Sequence, residues 1–133
     1  MRFPFEIFLI LPIIIQALDI QWGAFTPQSE YLCPRPNGGG VIPFSRLKIE
    51  KQISAALNNP KGQYPHLFHE APAEPQCAHL VVKAYPAFAS GIYTGGKPGH
   101  YRVLFASNYM HQVFFCGMVY HNTKRKFLPC DRR

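Results

Sequence analysis

Proline and glycine interrupt this chain too often for a helical bundle or a coiled coil. The 133 residues include 13 prolines and 10 glycines, a composition that favours short elements joined by many turns. With 47% apolar and 14% aromatic residues, the chain can still bury a core. Its length fits one domain, since domains cluster at about 100–150 residues, and this excludes a multidomain enzyme.

The first residues are typical of a secretory signal peptide. Arg2 precedes a nine-residue apolar run at 7–15, and the small residue Ala17 follows it. This run is shorter than the roughly 20 apolar residues of a membrane-spanning helix. We predict a signal peptide at 1–17, with cleavage after Ala17 or as late as Ala24, and a secreted, extracellular chain without a membrane segment after its removal. A buried strand or an uncleaved anchor is the alternative.

An exported chain is expected to keep its cysteines oxidised. Four cysteines allow three pairings, and their spacing does not choose among them. They are Cys33, Cys77, Cys116 and Cys130. Because the chain has no Cys-x-x-Cys or His-x-x-x-His spacing, we predict no structural zinc site and no other metal or cofactor.

The rest of the chain reads as one helix followed by strands. Apolar residues recur at helical spacing within 45–58, and Asn58-Asn59-Pro60 ends the helix. The glycine-rich segment 34–43 before it is predicted to be a loop. Segments rich in Val, Phe, Tyr and Leu predict strands at 79–85, 101–106 and 112–121. This order predicts an α+β domain with one helix packed on a twisted antiparallel sheet.

The net charge and the placement of the histidines favour a phosphodiester as the substrate. The net charge of +7 favours RNA or another polyanion as partner, although such a charge also serves solubility alone. If the strands that carry Arg102 and His121 pair through the turn near Asn108, both side chains lie at one end of the sheet. Together with His66, they could move two protons and stabilise charge on a phosphate.

Five ordered motifs resemble the fungal guanyl-specific ribonucleases. They occupy residues 31–33, 64–66, 93–105, 117–121 and 127–130. The resemblance covers 31–130, which we take as a ribonuclease-like domain and expect to be monomeric. It implies a Cys33–Cys130 bridge, with Cys77 and Cys116 bridged to each other or free. It also implies endoribonuclease cleavage of RNA by transphosphorylation to a 2′,3′-cyclic phosphate, without metal.

The resemblance also implies roles for individual residues. Tyr64, His66, Arg102 and His121 would form the catalytic group, with His121 as general acid and Arg102 on the phosphate. Phe127 would pack against this site. The chain departs from the family at Ala84, which occupies the position of the glutamate base. His66 would then act as base, because free histidine titrates near pH 6.5, and the rate would fall by about 10²–10⁴.

Substrate contacts are expected on both sides of this group. Phe68 and His69 could stack on or hydrogen-bond to a base, but residues 70–74 depart from the family's Asn-rich guanine-binding segment. Basic residues are expected to contact phosphates, or alternatively to form a solvated turn at 124–126. They are Lys83, Arg102, Lys124, Arg125, Lys126, Arg132 and Arg133.

The aromatic-x-cysteine segment 31–33, soon after the signal, also resembles the ribonuclease-like secreted effectors of plant-pathogenic fungi such as powdery mildews. This resemblance implies a virulence role, with delivery into host cells as one destination. We predict an RNA-binding protein with impaired or residual cleavage. The alternative is a non-catalytic effector that binds a host protein.

Overall fold

The computed structural model describes residues 19–70, 74–108, 110–122 and 126–133. Within these residues it has one α-helix, nine strands and a 3₁₀ turn at Pro75–Cys77. The helix, α1, spans Arg46–Asn58. The strands are β1 (Ile20–Gln21), β2 (Glu30–Pro34), β3 (Val41–Ser45), β4 (His66–Leu67), β5 (Val82–Ala87), β6 (Tyr101–Ser107), β7 (Val113–His121), β8 (Phe127–Pro129) and β9 (Asp131–Arg132).

The larger sheet has six strands and carries most of the fold. Its order is β1-β7-β6-β5-β4, and β8 also pairs with β7. All neighbours are antiparallel except β1 and β7, which are parallel. A bulge interrupts the β6–β7 pairing between Leu104 and Phe105. The predicted α+β class, with one helix on an antiparallel sheet, is confirmed.

The helix packs on one face of this sheet. Ser45 caps it, because its hydroxyl accepts a hydrogen bond from the Lys48 amide at 3.2 Å. Ile49, Ile53 and Ala56 are buried toward the sheet. The helix predicted at 45–58 is confirmed and begins one residue later.

The two faces of the sheet bury different clusters because neighbouring strand residues point to opposite sides. Tyr85, Val103 and Phe105 belong to the large core beneath α1. Ala84 and Leu104 belong to a smaller cluster on the opposite face, and this face carries the candidate site.

The loop predicted at 34–43 is shorter than expected. Pro34 pairs with Val41, and Cys33 pairs with Ile42, so β2 and β3 form a hairpin whose loop is residues 35–40. β9 joins β2 to complete a second, three-stranded sheet. The glycines turn the chain, but cross-strand pairing extends both strands into the segment predicted as loop.

The strand predicted at 79–85 lies at Val82–Ala87 instead. His79 and Leu80 belong to the turn that follows Pro75–Cys77. Pro86, which could have ended a strand, is tolerated inside β5 because β4 pairs only with Lys83 and Ala84. The edge of β5 is therefore open beside Pro86.

The ordered fold begins before residue 31. Ile20 pairs with Val113 in the main sheet. The rings of Trp22 and Phe25 pack on Phe115, with centroids 5.3 and 5.1 Å away. The predicted signal at 1–17 lies outside the described residues. Within the described residues, no helix is long and apolar enough to cross a bilayer.

Two disulfide bonds cross-link the chain. The Cys33–Cys130 bridge implied by the family resemblance is present, and it closes a separation of 97 residues. Cys77 and Cys116 form the second bridge, across a separation of 39 residues. Both sulfurs of the second bridge are buried on the face opposite the helix. This bridge joins the Pro75–Cys77 turn to β7 across the sheet face rather than linking two neighbouring strands.

Candidate active site

A cavity of about 300 Å³ opens on the sheet face opposite the helix, beside the edge strand β4. Most of the residues predicted from the sequence to form the site meet in it. Its lining residues are Gln63, Tyr64, His66, Leu67, Phe68, His69, Glu70, Ala84, Arg102 and Phe127. We call it the catalytic cavity, after the residues for which the sequence predicts catalytic roles.

Arg102 is held at the base of this cavity by backbone carbonyls. Only 6% of the residue is exposed. Its Nη1 donates to the carbonyl oxygens of Pro98, Gly99 and Tyr101 at 3.1, 2.8 and 3.0 Å. The glycine-rich loop therefore fixes the guanidinium in one orientation.

Two aromatic rings flank the same guanidinium. The Arg102 Cζ lies 5.5 Å from the ring centroids of Tyr64 and Phe127. Nη2 points to the Tyr64 hydroxyl at 3.5 Å. Among the described residues, no carboxylate forms an ion pair with Arg102; the two ion pairs there are Arg132–Glu74 and Arg133–Glu30.

Burial lowers the pKa of the Arg102 guanidinium, and Tyr64 opposes this shift. A buried cation without a counter-ion is costly, and an anion entering the cavity would relieve that cost. Arginine is also suited to phosphate because its planar donors match the phosphate oxygens. Arg102 is therefore placed to receive a phosphate.

His66 is exposed at the rim and has a defined orientation. Its Nδ1 lies 2.7 Å from the Leu67 carbonyl oxygen. A carbonyl can only accept, so Nδ1 carries the hydrogen, and Nε2 of the neutral ring is left as the acceptor. This tautomer is the one that a general base needs.

Tyr64 packs against aromatic residues whose role the sequence did not indicate. Its ring meets Tyr93 edge-on at 5.7 Å, and Tyr93 stacks on Phe88 at 6.1 Å. The Tyr93 hydroxyl donates to the Gly96 carbonyl at 2.9 Å. Tyr93 thus connects the ring beside Arg102 to the loop that holds Arg102. Tyr93 is the first residue of the motif at 93–99, but the sequence alone assigns it no role.

Ala84 forms part of the cavity wall where the resemblance places a carboxylate. It is opposite His66 in the β4–β5 pairing and opposite Leu104 in the β5–β6 pairing. Only 5% of Ala84 is exposed, and its methyl group cannot move a proton. Glu70 contributes a carboxylate to the cavity lining from the segment after β4.

His121 lies on the far side of Phe127. Arg102 is opposite Val119, so His121, two residues further along β7, is on the same sheet face as Arg102. The centroids of the His121 and Phe127 rings are 4.9 Å apart. His121 lines a second cavity instead of the catalytic cavity. Phe127 therefore contacts both Arg102 and His121.

The predicted substrate contacts divide into three groups. Phe68 and His69 line the catalytic cavity, and Phe68 meets Phe127 edge-on at 5.8 Å. Lys83 does not line it: this exposed residue alternates with Ala84 and therefore lies on the other face of β5. Arg125 and Lys124 lie outside the described residues.

The C-terminal arginines are engaged elsewhere. Arg132 pairs with the buried Glu74 at 3.1 Å, and Arg133 pairs with Glu30. No group of three or more His, Cys, Asp or Glu side chains suited to a metal ion occurs in the described parts of the chain.

The comparisons with known proteins agree with this fold. No protein-family model matches the chain, and no curated protein matches it. Among solved structures, the ribonuclease from Hericium erinaceus, RNase He1, is similar to the chain with a TM-score of 0.52 and 30% sequence identity. The similarity covers 68% of this chain and 91% of RNase He1. On this identity and coverage, the chain belongs to the family of fungal ribonucleases that includes RNase He1.

Proposed function

We propose that this chain is a secreted ribonuclease-fold protein that binds RNA in the catalytic cavity and cleaves it slowly. The observation that carries the proposal is Arg102, a buried guanidinium between two aromatic rings, with no carboxylate paired to it among the described residues. Such a group favours an anion, and the family's substrate is a phosphodiester. The scissile phosphate would bind at Arg102.

The proposed reaction is an intramolecular transphosphorylation. The 2′ oxygen attacks phosphorus while His66 Nε2 takes the 2′ hydroxyl proton. The bond from phosphorus to the 5′ oxygen of the next nucleotide breaks, and protonated His121 gives that oxygen a proton. The products are a 2′,3′-cyclic phosphate and a free 5′ hydroxyl. Arg102 stabilises the charge that develops on the phosphate oxygens.

Ala84 is the reason to expect a low rate. Without a carboxylate at this position, His66 is the base, and it is exposed rather than enclosed. Losing one acid–base group lowers the rate by a factor of about 10²–10⁴. Binding does not depend on this group, so RNA affinity and cleavage are separable properties of this protein.

Base contacts are proposed at the end of the cavity beyond His66. Phe68 offers a ring that Phe127 supports from the side. A base stacked on an aromatic ring gains about 1–3 kcal/mol. His69 and Glu70 supply polar groups along the same wall.

Secretion is proposed from the sequence and agrees with two disulfides, which persist in oxidising compartments. Cleavage after Ala17 suits the fold better than cleavage after Ala24. The later cut would remove Ile20, which pairs with β7, and Trp22, which packs on Phe115.

The experiment is an assay of the oxidised protein on end-labelled RNA, with 2′,3′-cyclic phosphate as the measured product. The wild type should cleave above a His121→Ala background, and both proteins should bind RNA. His79→Ala, which removes an exposed imidazole outside the catalytic cavity, serves as the matched control. RNA binding without cleavage above this background would overturn the catalytic part of the proposal. Absence of RNA binding would leave the alternative, a protein that binds a host protein.

A further inference from the structure

The loop at 88–100 joins β5 to β6 and supplies two of the three backbone carbonyls that hold Arg102, those of Pro98 and Gly99. We propose that Tyr93, within this loop, is a positioning residue for the reaction: it fixes the loop and, through the loop, the direction of the Arg102 guanidinium. The inference rests on the proposed function, because it takes Arg102 as the group that stabilises charge on the phosphate.

Glycines shape the part of the loop that precedes Arg102. Gly95, Gly96 and Gly99 have φ angles of 106°, 80° and 70°, which residues with a side chain seldom adopt. Glycine also restricts the backbone less than any other residue, so such a loop keeps one conformation only where other contacts hold it. The Tyr93 hydroxyl makes one of these contacts, because it donates to the Gly96 carbonyl at 2.9 Å.

The ring of Tyr93 supports the loop a second time, through Phe88. The two rings stack with their centroids 6.1 Å apart. Phe88 in turn lies against Gly99, since a Cβ atom added to this glycine would be 3.2 Å from the Phe88 Cε1. The Gly99 carbonyl accepts the shortest of the three backbone hydrogen bonds from Arg102, at 2.8 Å. Tyr93 therefore supports the loop at both Gly96 and Gly99.

The beginning of the loop is tied to the helix. The buried Gln52 of α1 donates from Nε2 to the Gly91 carbonyl at 2.9 Å. Tyr93 itself is only 4% exposed, and its ring meets that of Tyr85 in β5 edge-on at 5.6 Å. Tyr93 thus lies between a fixed start of the loop and the glycines that lead to Arg102.

Tyr93 reaches the other side of the guanidinium through Tyr64. Its ring meets Tyr64 edge-on at 5.7 Å, and the Tyr64 hydroxyl lies 3.5 Å from Arg102 Nη2. Burial lowers the pKa of Arg102, and both Tyr64 and Tyr93 oppose this shift. The charge of Arg102 alone attracts a phosphate, but the direction of the guanidinium matters most when charge develops on the phosphate oxygens. Loss of positioning should therefore lower kcat more than it raises KM.

The test is Tyr93→Phe, which removes the hydroxyl and keeps the ring. In the ligand-free wild type, nitrogen NMR should resolve the Nη1 and Nη2 signals of Arg102, because three hydrogen bonds to carbonyls hinder rotation of the guanidinium. In Tyr93→Phe these signals should broaden and merge. In the RNA cleavage assay, we expect kcat to fall about 3–10-fold, the value of one hydrogen bond, and KM to change by less than about twofold. Phe88→Leu, which removes the stacked ring, should cause a smaller change of the same kind.

Tyr85→Phe is the matched control, because Tyr85 is a buried tyrosine of the same ring cluster whose hydroxyl points to the Asn59 carbonyl, at 3.5 Å. This variant should keep the wild-type Arg102 signals, kcat and KM at a temperature where all the variants are folded. Separate Arg102 signals or an unchanged kcat in Tyr93→Phe, or an equal loss in Tyr85→Phe, would overturn the inference. Phe88→Leu decides by the same criteria where Tyr93→Phe does not fold. If the wild type does not cleave RNA, the catalytic part of the proposed function is wrong, and the Arg102 signals alone decide the role of Tyr93.

Discussion

His66 and Ala84 are cross-strand partners in the antiparallel pair of β4 and β5. Directly opposed residues have Cβ atoms about 4.5–5.5 Å apart and lie on the same sheet face. Both residues line the catalytic cavity, so a longer side chain at position 84 would enter the space beside the imidazole. The position where the family resemblance implies a base is therefore adjacent to the residue proposed to replace it.

Ala84→Glu should raise the cleavage rate. The new carboxylate would accept the 2′ hydroxyl proton, and the uncompensated charge of Arg102 would favour its ionised form. We expect an increase of about 10²-fold in kcat/KM on a dinucleotide substrate, measured at neutral pH. Ala84→Gln has the same shape without the charge and should give no increase. Equal rates for the Glu and Gln variants would show that position 84 has no part in proton transfer.

The wild-type pH profile should be bell-shaped. Cleavage needs a neutral imidazole at position 66 and a protonated one at position 121, so acid inactivates the base and alkali inactivates the acid. His66→Ala should abolish cleavage rather than reduce it, since Ala84 offers no replacement. In Ala84→Glu, activity should extend to lower pH, because a carboxylate is ionised above about pH 4.3. A His66→Ala variant that cleaves at the wild-type rate would contradict the two-histidine mechanism.

The catalytic cavity could be predicted in large part because its residues belong to short local motifs. The pairing of β6 with β7, which puts Arg102 and His121 on one face, followed from strand patterns and a turn near residue 108. The carbonyls that hold Arg102 belong to Pro98, Gly99 and Tyr101, within the motif at 93–105.

The features that the sequence did not predict depend on contacts between residues far apart in the chain. β1 pairs with β7 across more than ninety residues, and no local pattern in Ile20–Gln21 signals a strand. The charge of Lys83 predicts a phosphate contact, but strand alternation with Ala84 puts this residue on the opposite face of the sheet. The separation of His121 from the catalytic cavity by Phe127 also needed the three-dimensional placement of β8.

RNA binding should weaken as the salt concentration rises. Each phosphate that a cation neutralises releases a counterion, so the logarithm of the association constant falls linearly with the logarithm of salt concentration. For single-stranded RNA the slope is about −0.7 per phosphate contact. The Arg102 contact alone predicts a slope of about −0.7, and each further cation that contacts a phosphate makes the slope steeper by about the same amount. A slope near zero by fluorescence anisotropy between low and physiological salt would remove the electrostatic basis of the proposal.

The stability of the fold should fall at alkaline pH because of Tyr31. Its hydroxyl donates to Glu74 Oε1 at 2.6 Å, and Arg132 Nη1 lies 3.1 Å from the same oxygen. Burial, followed by the hydrogen bond and charge of Glu74, raises the pKa of Tyr31 well above its ordinary value. In the unfolded chain this phenol ionises near pH 10, while in the folded chain it stays protonated. The contribution of Tyr31 to the free energy of unfolding is therefore complete below pH 10 and is lost as the pH rises above 10.

The expected loss from Tyr31 approaches about 1.4 kcal/mol per pH unit above pH 10, since the unfolded state releases one proton that the folded state keeps. Denaturant unfolding at pH 9, 10 and 11 measures it. Tyr31→Phe should lower the free energy of unfolding by about 1–3 kcal/mol at neutral pH, because Glu74 loses a buried donor. Above pH 10, the free energy of unfolding of this variant should decline less steeply with pH than that of the wild type, because Tyr31 no longer contributes to the decline. Burial also raises the pKa values of Tyr85 and Tyr101. These two residues should therefore still cause part of the alkaline loss of stability in that variant. Identical alkaline slopes for the wild type and Tyr31→Phe would mean that Tyr31 ionises equally in both states.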